Sequence, residues 1–493
     1  MPTTDTHFRH TMPGSKNKRG ETPAKSDLSP QAVILAAGAG SRLAAGDHKA
    51  PPKALVQLGG LSLLERTARN CAKAGAAEII IVVGCRGREI IEQLSEKLSD
   101  LPVRWVQNQK WENGNGKSVL AAKPFIGTEP FLVIMSDHII FADTIRRLIE
   151  TRPVKPTNVL AIDRKYNLLG DLPDAMKVRL NDNSITTLGK DLPEFEAVDI
   201  GVGLFQYSFF EELETAERHS DGKCAHSDGT RGLAKRGTLQ PFDIGDDRWE
   251  DVDTPADRAA AEKVLFQSLR KKTDGFMSRH LERNISLTLT KRLANTSITP
   301  NTFTVALMLS LAVPAILFAQ ADPKLNLLGA FLFWVGSSLD GCDGELARLK
   351  FKESRLGGWL DLWSDNVVHI MIFSGIGIGI FRRTSDPVWL WLAGAACLGV
   401  LLSVLTVSWT TSRKKNARGP LFTSVGAGAS AGDWSSRLSR LTDALARRDF
   451  IFVLIFVTAL GGLPYFLAAA AAGSNIYFLV VLAIALLSAK PSE

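Results

Sequence analysis

Cysteine is scarce and scattered. The 493 residues hold five, Cys71, Cys85, Cys224, Cys342 and Cys397, and no Cys-x-x-Cys pair. That pattern argues against a zinc site and for a reducing compartment. The first thirty residues lack any apolar core and are rich in Lys, Arg, Pro, Ser and Thr. A disordered tail over 1–30 is therefore expected, not a secretory signal. No basic stretch is interleaved with aromatics, so the net charge of +7 does not point to nucleic acid.

What the chain does have is two unlike halves. A hydrophobic fraction of 45% averages over both, and 493 residues exceed what one core supports. Beyond residue 302 come apolar runs at 302–320, 325–339, 360–380, 388–409, 450–472 and 476–487. A bilayer span takes about 20 apolar residues, so six spans are expected, the second and sixth being short. Lys350, Lys352 and Arg355 fill one loop, and Arg413, Lys414, Lys415, Arg418, Arg437, Arg440, Arg447 and Arg448 crowd another. Arg382 and Arg383 fall on the opposite side. The positive-inside rule puts both basic loops, and with them the soluble half, in the cytosol. The expected division is a tail at 1–30, an α/β domain at 31–265, an amphipathic interfacial linker at 266–298 and an all-α membrane domain at 299–493.

In the soluble half, residues 31–37 are a short apolar run leading into Gly38-Ala39-Gly40-Ser41-Arg42. Strand, glycine-rich turn and helix in that order present backbone N–H groups to a phosphate. Further strands are expected at 78–83, 102–106 and 131–135, with helices at 89–98 and starting at 118–122. The strand at 131–135 delivers Ser136-Asp137-His138 at its carboxyl end, where ligands of doubly wound sheets bind. Asp137 is thus placed to hold a metal, although a turn aspartate can equally be a cap, and His138 is read as packing locally.

The membrane half carries Asp340-Gly341-Cys342-Asp343-Gly344-Glu345-Leu346-Ala347-Arg348 and then Gly357-Gly358-Trp359-Leu360-Asp361-Leu362-Trp363-Ser364-Asp365. On helices, Asp340 and Asp343 share a face, as do Asp361 and Asp365. Two such pairs make an oxygen cage suited to Mg²⁺ or Mn²⁺, and ionisable groups at membrane depth point to function. His369, one turn beyond Asp365, either hydrogen-bonds to it or is a core histidine.

The run is similar to the signature of the CDP-alcohol phosphatidyltransferase family, Asp-x2-Asp-Gly-x2-Ala-Arg-x8-Gly-x3-Asp-x3-Asp. It is matched at Asp340, Asp343, Gly344, Ala347, Arg348, Gly357, Asp361 and Asp365. The resemblance implies Mg²⁺ (or Mn²⁺) on the four aspartates bridging the pyrophosphate of a CDP-alcohol. Gly344 and Ala347 would leave room for the nucleotide, Arg348 would face its phosphates, and Asp365 would be the general base.

The soluble half resembles the nucleotidyltransferases that activate phosphorylated sugars and alcohols, through Leu35-Ala36-Ala37-Gly38-Ala39-Gly40-Ser41-Arg42 and Pro52-Lys53-Ala54-Leu55-Val56. That implies a Rossmann-like mixed sheet whose nucleotide lies against Leu35, Ala36, Ala37, Gly38 and Gly40, with Arg42 and Lys53 beside the triphosphate. Asn115 and Gly116, within Asn113-Gly114-Asn115-Gly116-Lys117-Ser118, would read the base. Lys177, Asp199 and Gly201 would form the acceptor-phosphate and polyol pocket, or else an ordinary edge strand and turn. Asp137 and Asp253, the latter favoured over Asp251, would hold the metal.

Met135-Ser136-Asp137-His138, Asp174 to Lys177, Gly189-Lys190, Val198-Asp199-Ile200-Gly201 and Asp251-Val252-Asp253-Thr254-Pro255 bring the soluble half near CTP:inositol-1-phosphate cytidylyltransferases. A chain with both halves resembles the family of bifunctional CTP:inositol-1-phosphate cytidylyltransferase and di-myo-inositol phosphate phosphate synthases. The resemblance implies CTP and inositol 1-phosphate as substrates, a CDP-alcohol intermediate and a product that precedes a compatible solute. It also implies an inner-membrane, multi-pass location and a homodimer. Basic residues at 275–293, Arg279, Arg283, Lys291 and Arg292, would lie against lipid phosphates or hold an acceptor phosphate. A lipid alcohol as acceptor, making a phospholipid headgroup synthase, is the alternative. A membrane scaffold whose soluble domain senses nucleotide is the reading from another class.

Overall fold

The computed structural model describes residues 29–44, 50–127, 130–151, 157–166, 172–270, 282–413 and 450–487. Most of the expected tail, residues 274–279 of the linker with Arg279, and the basic stretch 414–448 lie outside the described residues.

A strand made only of Ala, Val, Ile and Leu has no polar face for water and must lie between layers. β1 (Ala32–Ala36) is such a strand and is buried along its length. A hairpin of β2 (Gln57–Leu58) and β3 (Leu61–Ser62) follows. β4 (Ile79–Val83) and β5 (Val103–Gln107) extend the sheet in parallel from β1, and β6 (Phe131–Met135) lies parallel on its other side. A sheet that grows first one way and then the other opens a crevice at the carboxyl ends of the strands where it reverses. Here those strands are β1 and β6.

β7 (His138–Ile139) leaves that crevice. β8 (Asn158–Asp163), β9 (Lys177–Asn181), β10 (Ser184–Gly189), β11 (Ala197–Phe205) and β12 (Leu239–Asp243) complete a nine-stranded mixed sheet. Within it β11 runs antiparallel to β6, β8 and β9. β13 (Glu250–Asp251) returns to pair with β7, which carries the Asp251–Asp253 loop back to the crevice.

The helices of this half are α1 (Ser41–Ala44), α2 (Leu63–Ala74), α3 (Gly87–Leu94), α4 (Asn115–Ala122), α5 (Ala142–Glu150), α6 (Ser208–His219), α7 (His226–Lys235) and α8 (Pro255–Ser268). α2 starts where Ser62 accepts from the Glu65 N–H, the cap preference of serine. α4 begins at Asn115, earlier than 118, directly after Gly114 at φ 103°. α8 opens with Thr254 and Asp257 exchanging hydrogen bonds and Pro255 in its first turn, a start signal written in the sequence.

The membrane half holds α9 (Arg283–Ala294), α10 (Pro300–Ser310), α11 (Ala312–Ala319), α12 (Pro323–Leu339), α13 (Gly341–Leu349), α14 (Arg355–Thr384), α15 (Val388–Arg413), α16 (Phe450–Ala459) and α17 (Leu463–Leu487). Among the described residues, five stretches are long and apolar enough to cross a membrane: Pro300–Ala319, Pro323–Leu349, Arg355–Thr384, Val388–Ser412 and Leu463–Leu486. α16 is a short sixth apolar helix.

The last two expected spans are divided differently from the sequence expectation. The break falls at Gly461, φ 73°, just before Leu463 and Pro464, and not near 473–475. Gly473-Ser474-Asn475 continues the helix because its polar groups have partners in the bundle: Asn475 Nδ2 donates to Ala395 O at 2.9 Å and Ala471 O at 2.8 Å. Small and polar residues mark helix contacts in membranes as often as breaks.

The halves are packed together. Leu58, Leu63, Val252, Leu265 and Leu269 of the soluble half share one buried apolar cluster with Ala294 and Leu349. The linker helix α9 is accordingly docked on protein. Its Ser286, Thr290 and Ala294 are buried, and Lys291 pairs with Glu262 at 3.3 Å.

Candidate functional site

In the soluble crevice the turn after β1 brings Gly40 against Lys53. Gly40 has φ +63°, and a Cβ there would meet the Lys53 Cβ at 2.5 Å, so only glycine fits. Lys53 Nζ donates to Asp137 Oδ2 at 2.6 Å and also pairs with Asp253. Arg42 reaches Asp174 at 2.5 Å and Asp253 at 2.9 Å. Burial pulls the Lys53 ammonium down, but Asp137, Asp251 and Asp253 outweigh it and raise its pKa above the ordinary lysine value. Asp174 is held below the usual carboxylate range by Lys190 and Arg42.

Asp137, His138 and Asp251 bring ligand atoms within 4.8 Å of one another. His138 Nδ1 lies 2.7 Å from Ile200 O, and its Nε2 faces Asp251 at 3.5 Å. It is thus hydrogen-bonded locally, and it also stands with the two carboxylates as a third group able to hold a metal. Asp251, set behind Asp253 in the sequence analysis, belongs to this group, whereas Asp253 is engaged by Lys53 and Arg42.

Two cavities meet here. One of about 270 Å³ is lined by Leu35, Ala36, Ala37, Gly38, Gly40, Arg42, Lys53, Asn115 and Asp137, together with Trp111, Ser118 and Asp253. It collects nearly every residue expected at the nucleotide. Gly116 is outside it: its N–H donates to Cys224 O at 2.9 Å, and a Cβ there would meet the Cys224 Sγ at 2.5 Å. Gly116 seats α4 against the loop before α7, and Asn115 and Ser118 face the cavity.

The adjoining cavity, about 340 Å³, is lined by Asp199 and Gly201 as expected, and by Asp174, Lys190, His226, Trp249 and Glu250. Lys177 does not line it; its ammonium is bonded to the Lys190 carbonyl oxygen. The cations of the cavity wall are Lys190 and Arg42, and both pair with Asp174. Asp199 is pushed up to about 6 by burial, and burial holds His226 down at about 4.

In the membrane half, Asp340, Asp361 and Asp365 bring carboxylate oxygens within 4.8 Å of one another. Asp361 and Asp365 are one turn apart on α14, and Asp340 caps α13 at its junction with α12. Asp343, expected as a fourth member, accepts from Thr304 Oγ1 at 2.6 Å. Arg348 donates to Leu269 O at 3.0 Å, and Gly344 lies beside it; Ala347 precedes it on α13. His369 lies between the rings of Phe333 and Phe373 at 6.5 and 6.2 Å.

Glu345 was not foreseen. It is fully buried and accepts from Arg283 at 2.9 Å, Ser286 at 2.7 Å and Thr290 at 2.6 Å. Of the basic linker residues, Arg283 is therefore turned toward this acid. A glutamate inside a helical stretch of membrane length was the available signal.

Comparison with known proteins matches two families. The MobA-like NTP transferase domain matches residues 32–228, and the CDP-alcohol phosphatidyltransferase family matches residues 297–437. The bifunctional IPC transferase and DIPP synthase of Rubrobacter xylanophilus is 36% identical over 434 residues, 88% of this chain and 90% of that one. Its namesake from Thermococcus kodakarensis is 31% identical over 388 residues, 78% of this chain and 83% of that one. The solved inositol-1-phosphate CTP transferase from T. maritima superposes with a TM-score of 0.44 at 22% identity, over 48% of this chain and 95% of that one. With a nucleotidyltransferase crevice in one half and the aspartate cage in the other, the chain belongs to the family of bifunctional IPC transferase and DIPP synthases.

Proposed function

We propose that the chain performs two consecutive transfers. In the first, an oxygen of inositol 1-phosphate attacks the α-phosphorus of CTP, the α–β bond breaks, and pyrophosphate leaves with the electron pair, giving CDP-inositol. In the second, a hydroxyl of another inositol 1-phosphate attacks the phosphorus that carries inositol. The bond to CMP breaks, and di-myo-inositol phosphate phosphate forms. The observation that carries this reading is the match of most of the chain, both halves included, to relatives named for two activities.

In the soluble site Lys53 and Arg42 would balance charge gathering on the triphosphate. Lys190 would hold the acceptor phosphate, and Asp199 and the backbone at Gly201 would face its polyol. The donor set suits a hard cation. Asp137 Oδ1 and Asp251 Oδ1 are buried without a hydrogen-bond partner, and such groups call for a ligand. Asp137 with Asp251 or Asp253, and Asp340, Asp361 and Asp365 with Asp343 adjacent, would hold Mg²⁺ or Mn²⁺, which supplies positive charge to the phosphates. In the second transfer Asp365 would take the proton of the attacking hydroxyl, and Arg348 would lie along the CDP phosphates. Within this reading the protein sits in the inner membrane with its soluble half in the cytoplasm, and copies pair through the membrane half.

The test supplies CDP-inositol directly and offers two acceptors. CMP release with inositol 1-phosphate, and none with a diacylglycerol-type alcohol, is the expected result. CMP release only with the lipid alcohol would make the membrane half a headgroup synthase and overturn the second step.

A further inference from the structure

At the seam between the halves, three cations each sit on the carboxyl end of a helix other than their own. Arg348 donates to Leu269 O, the cap of α8, at 3.0 Å. Lys350 donates to the carbonyls of Leu293, Thr296 and Ile298 behind α9, at 3.3, 2.8 and 3.2 Å. Arg66, on α2 of the soluble half, donates to Leu349 O at the end of α13, at 3.1 Å. Carbonyls in a helix's last turn lack intrahelical donors and carry the negative end of its dipole, so a cation there answers both.

Arg66 is the exceptional one. It is 2% exposed, and its acceptors are carbonyls: Leu349 from the membrane half, and Leu58 at 2.7 Å and Gly59 at 3.3 Å from the β2–β3 hairpin. Its Nε is buried without a partner, and Phe351 lies under the guanidinium at 5.9 Å. A buried guanidinium is costly unless its surroundings are polar and fixed. One of its three acceptors and its ring partner come from the membrane half. The hairpin is shaped for the same contact: a Cβ on Gly60, at φ +84°, would lie 2.2 Å from Ala294 O.

The helix that Arg66 holds, α13, carries Asp343, Gly344, Ala347 and Arg348. We propose that Arg66 is a positioning residue for phosphotransfer in the membrane half. From the soluble half it pins the carboxyl end of α13, and so fixes how Asp343, Gly344 and Arg348 meet the CDP-alcohol. The second site is complete only with the soluble half docked. This rests on the two-transfer reading.

The experiment compares full-length Arg66→Met and Arg66→Lys with the unmodified protein in detergent. It follows pyrophosphate release, CMP release from supplied CDP-inositol, and hydrogen exchange along α13. For Arg66→Met, kcat for CMP release should fall on the order of tenfold to a hundredfold, as misplacement of catalytic groups does. The KM for the acceptor should hold, and pyrophosphate release should stay within about twofold. Exchange should rise at α13 and not in β1 or β6, and Arg66→Lys should recover part of the loss. Lys73→Ala, which removes the exposed pair with Glu353 at the same seam, should change neither reaction. Parallel loss of both reactions with faster exchange throughout, no change in either, or an equal effect of Lys73→Ala would each overturn the proposal. If the unmodified protein releases no CMP from CDP-inositol, the two-transfer reading fails, and exchange confined to α13 still decides what Arg66 does.

Discussion

In the soluble half the carboxylates and cations come from loops far apart in the chain. Lys53 meets Asp137 across 84 residues and Asp253 across 200, because β1, β6 and the β7–β13 pair end at one crevice. In the membrane half Asp361 and Asp365 are one helical turn apart, and Asp340 stands at the start of the neighbouring helix. The first site is held by the chain's own ion pairs, Lys53 and Arg42 on Asp137, Asp174 and Asp253. The second is held by helix register, which explains the buried fastenings around α13: Thr304 on Asp343, Glu345 on α9, and Arg66 on Leu349. A loop-built site is broken by removing a charge inside it. A helix-built site is broken also by loosening a helix end.

The largest effect separates the two reactions. Asp365→Asn should lower CMP release from CDP-inositol on the order of 10²- to 10⁴-fold, the usual reach of a general base, and leave pyrophosphate release unchanged. Lys53→Met should do the converse. Asp137 and Asp253 would then face each other without their cation, and pyrophosphate release should fall on the order of 10²-fold, with CMP release intact.

Acid should distinguish the halves through His226, buried beside Phe205 and Phe209. Burial, with His138 nearby, holds it down at about 4 against 6.5. The unfolded chain therefore binds more protons between those values. Stability from this group is complete above pH 6.5 and is lost as pH falls toward 4, by about 1.4 kcal/mol per unit at most. Denaturant titrations should show the soluble half losing stability over that window and His226→Gln flattening the loss. The smallest effect concerns the acceptor cavity. Lys190→Ala should raise the KM for inositol 1-phosphate roughly tenfold, the scale of one charge-assisted hydrogen bond, and Lys177→Ala should leave it within about twofold.

The same contrast governs how much of the molecule is legible in its sequence. Asp361 and Asp365 can be read together because helical spacing puts them on one face, and the turn after β1 because its strand, glycines and cations are nearly contiguous. Spacing alone does not separate Asp340, which joins them, from Asp343, which accepts from Thr304. Lys190 could not be told from Lys177. They flank a hairpin whose register shifts between Ile185 and Thr187, and such an irregularity moves side chains between faces. Gly116 carried a base-reading expectation, yet its close approach is to Cys224, which only the fold brings near. Arg66 reads as an ordinary helix arginine, since its acceptor at Leu349 lies 283 residues away. The start of the last membrane helix is not legible because Gly-Ser-Asn serves equally as a break and as a helix contact.

The most direct test feeds purified protein CTP, Mg²⁺ and inositol 1-phosphate and follows ³¹P NMR. The account predicts one pyrophosphate and one CMP for each two inositol phosphates consumed, with one new phosphodiester and one phosphomonoester in the product. CMP formation without a phosphodiester signal, or pyrophosphate that accumulates while CDP-inositol is never consumed, would contradict it.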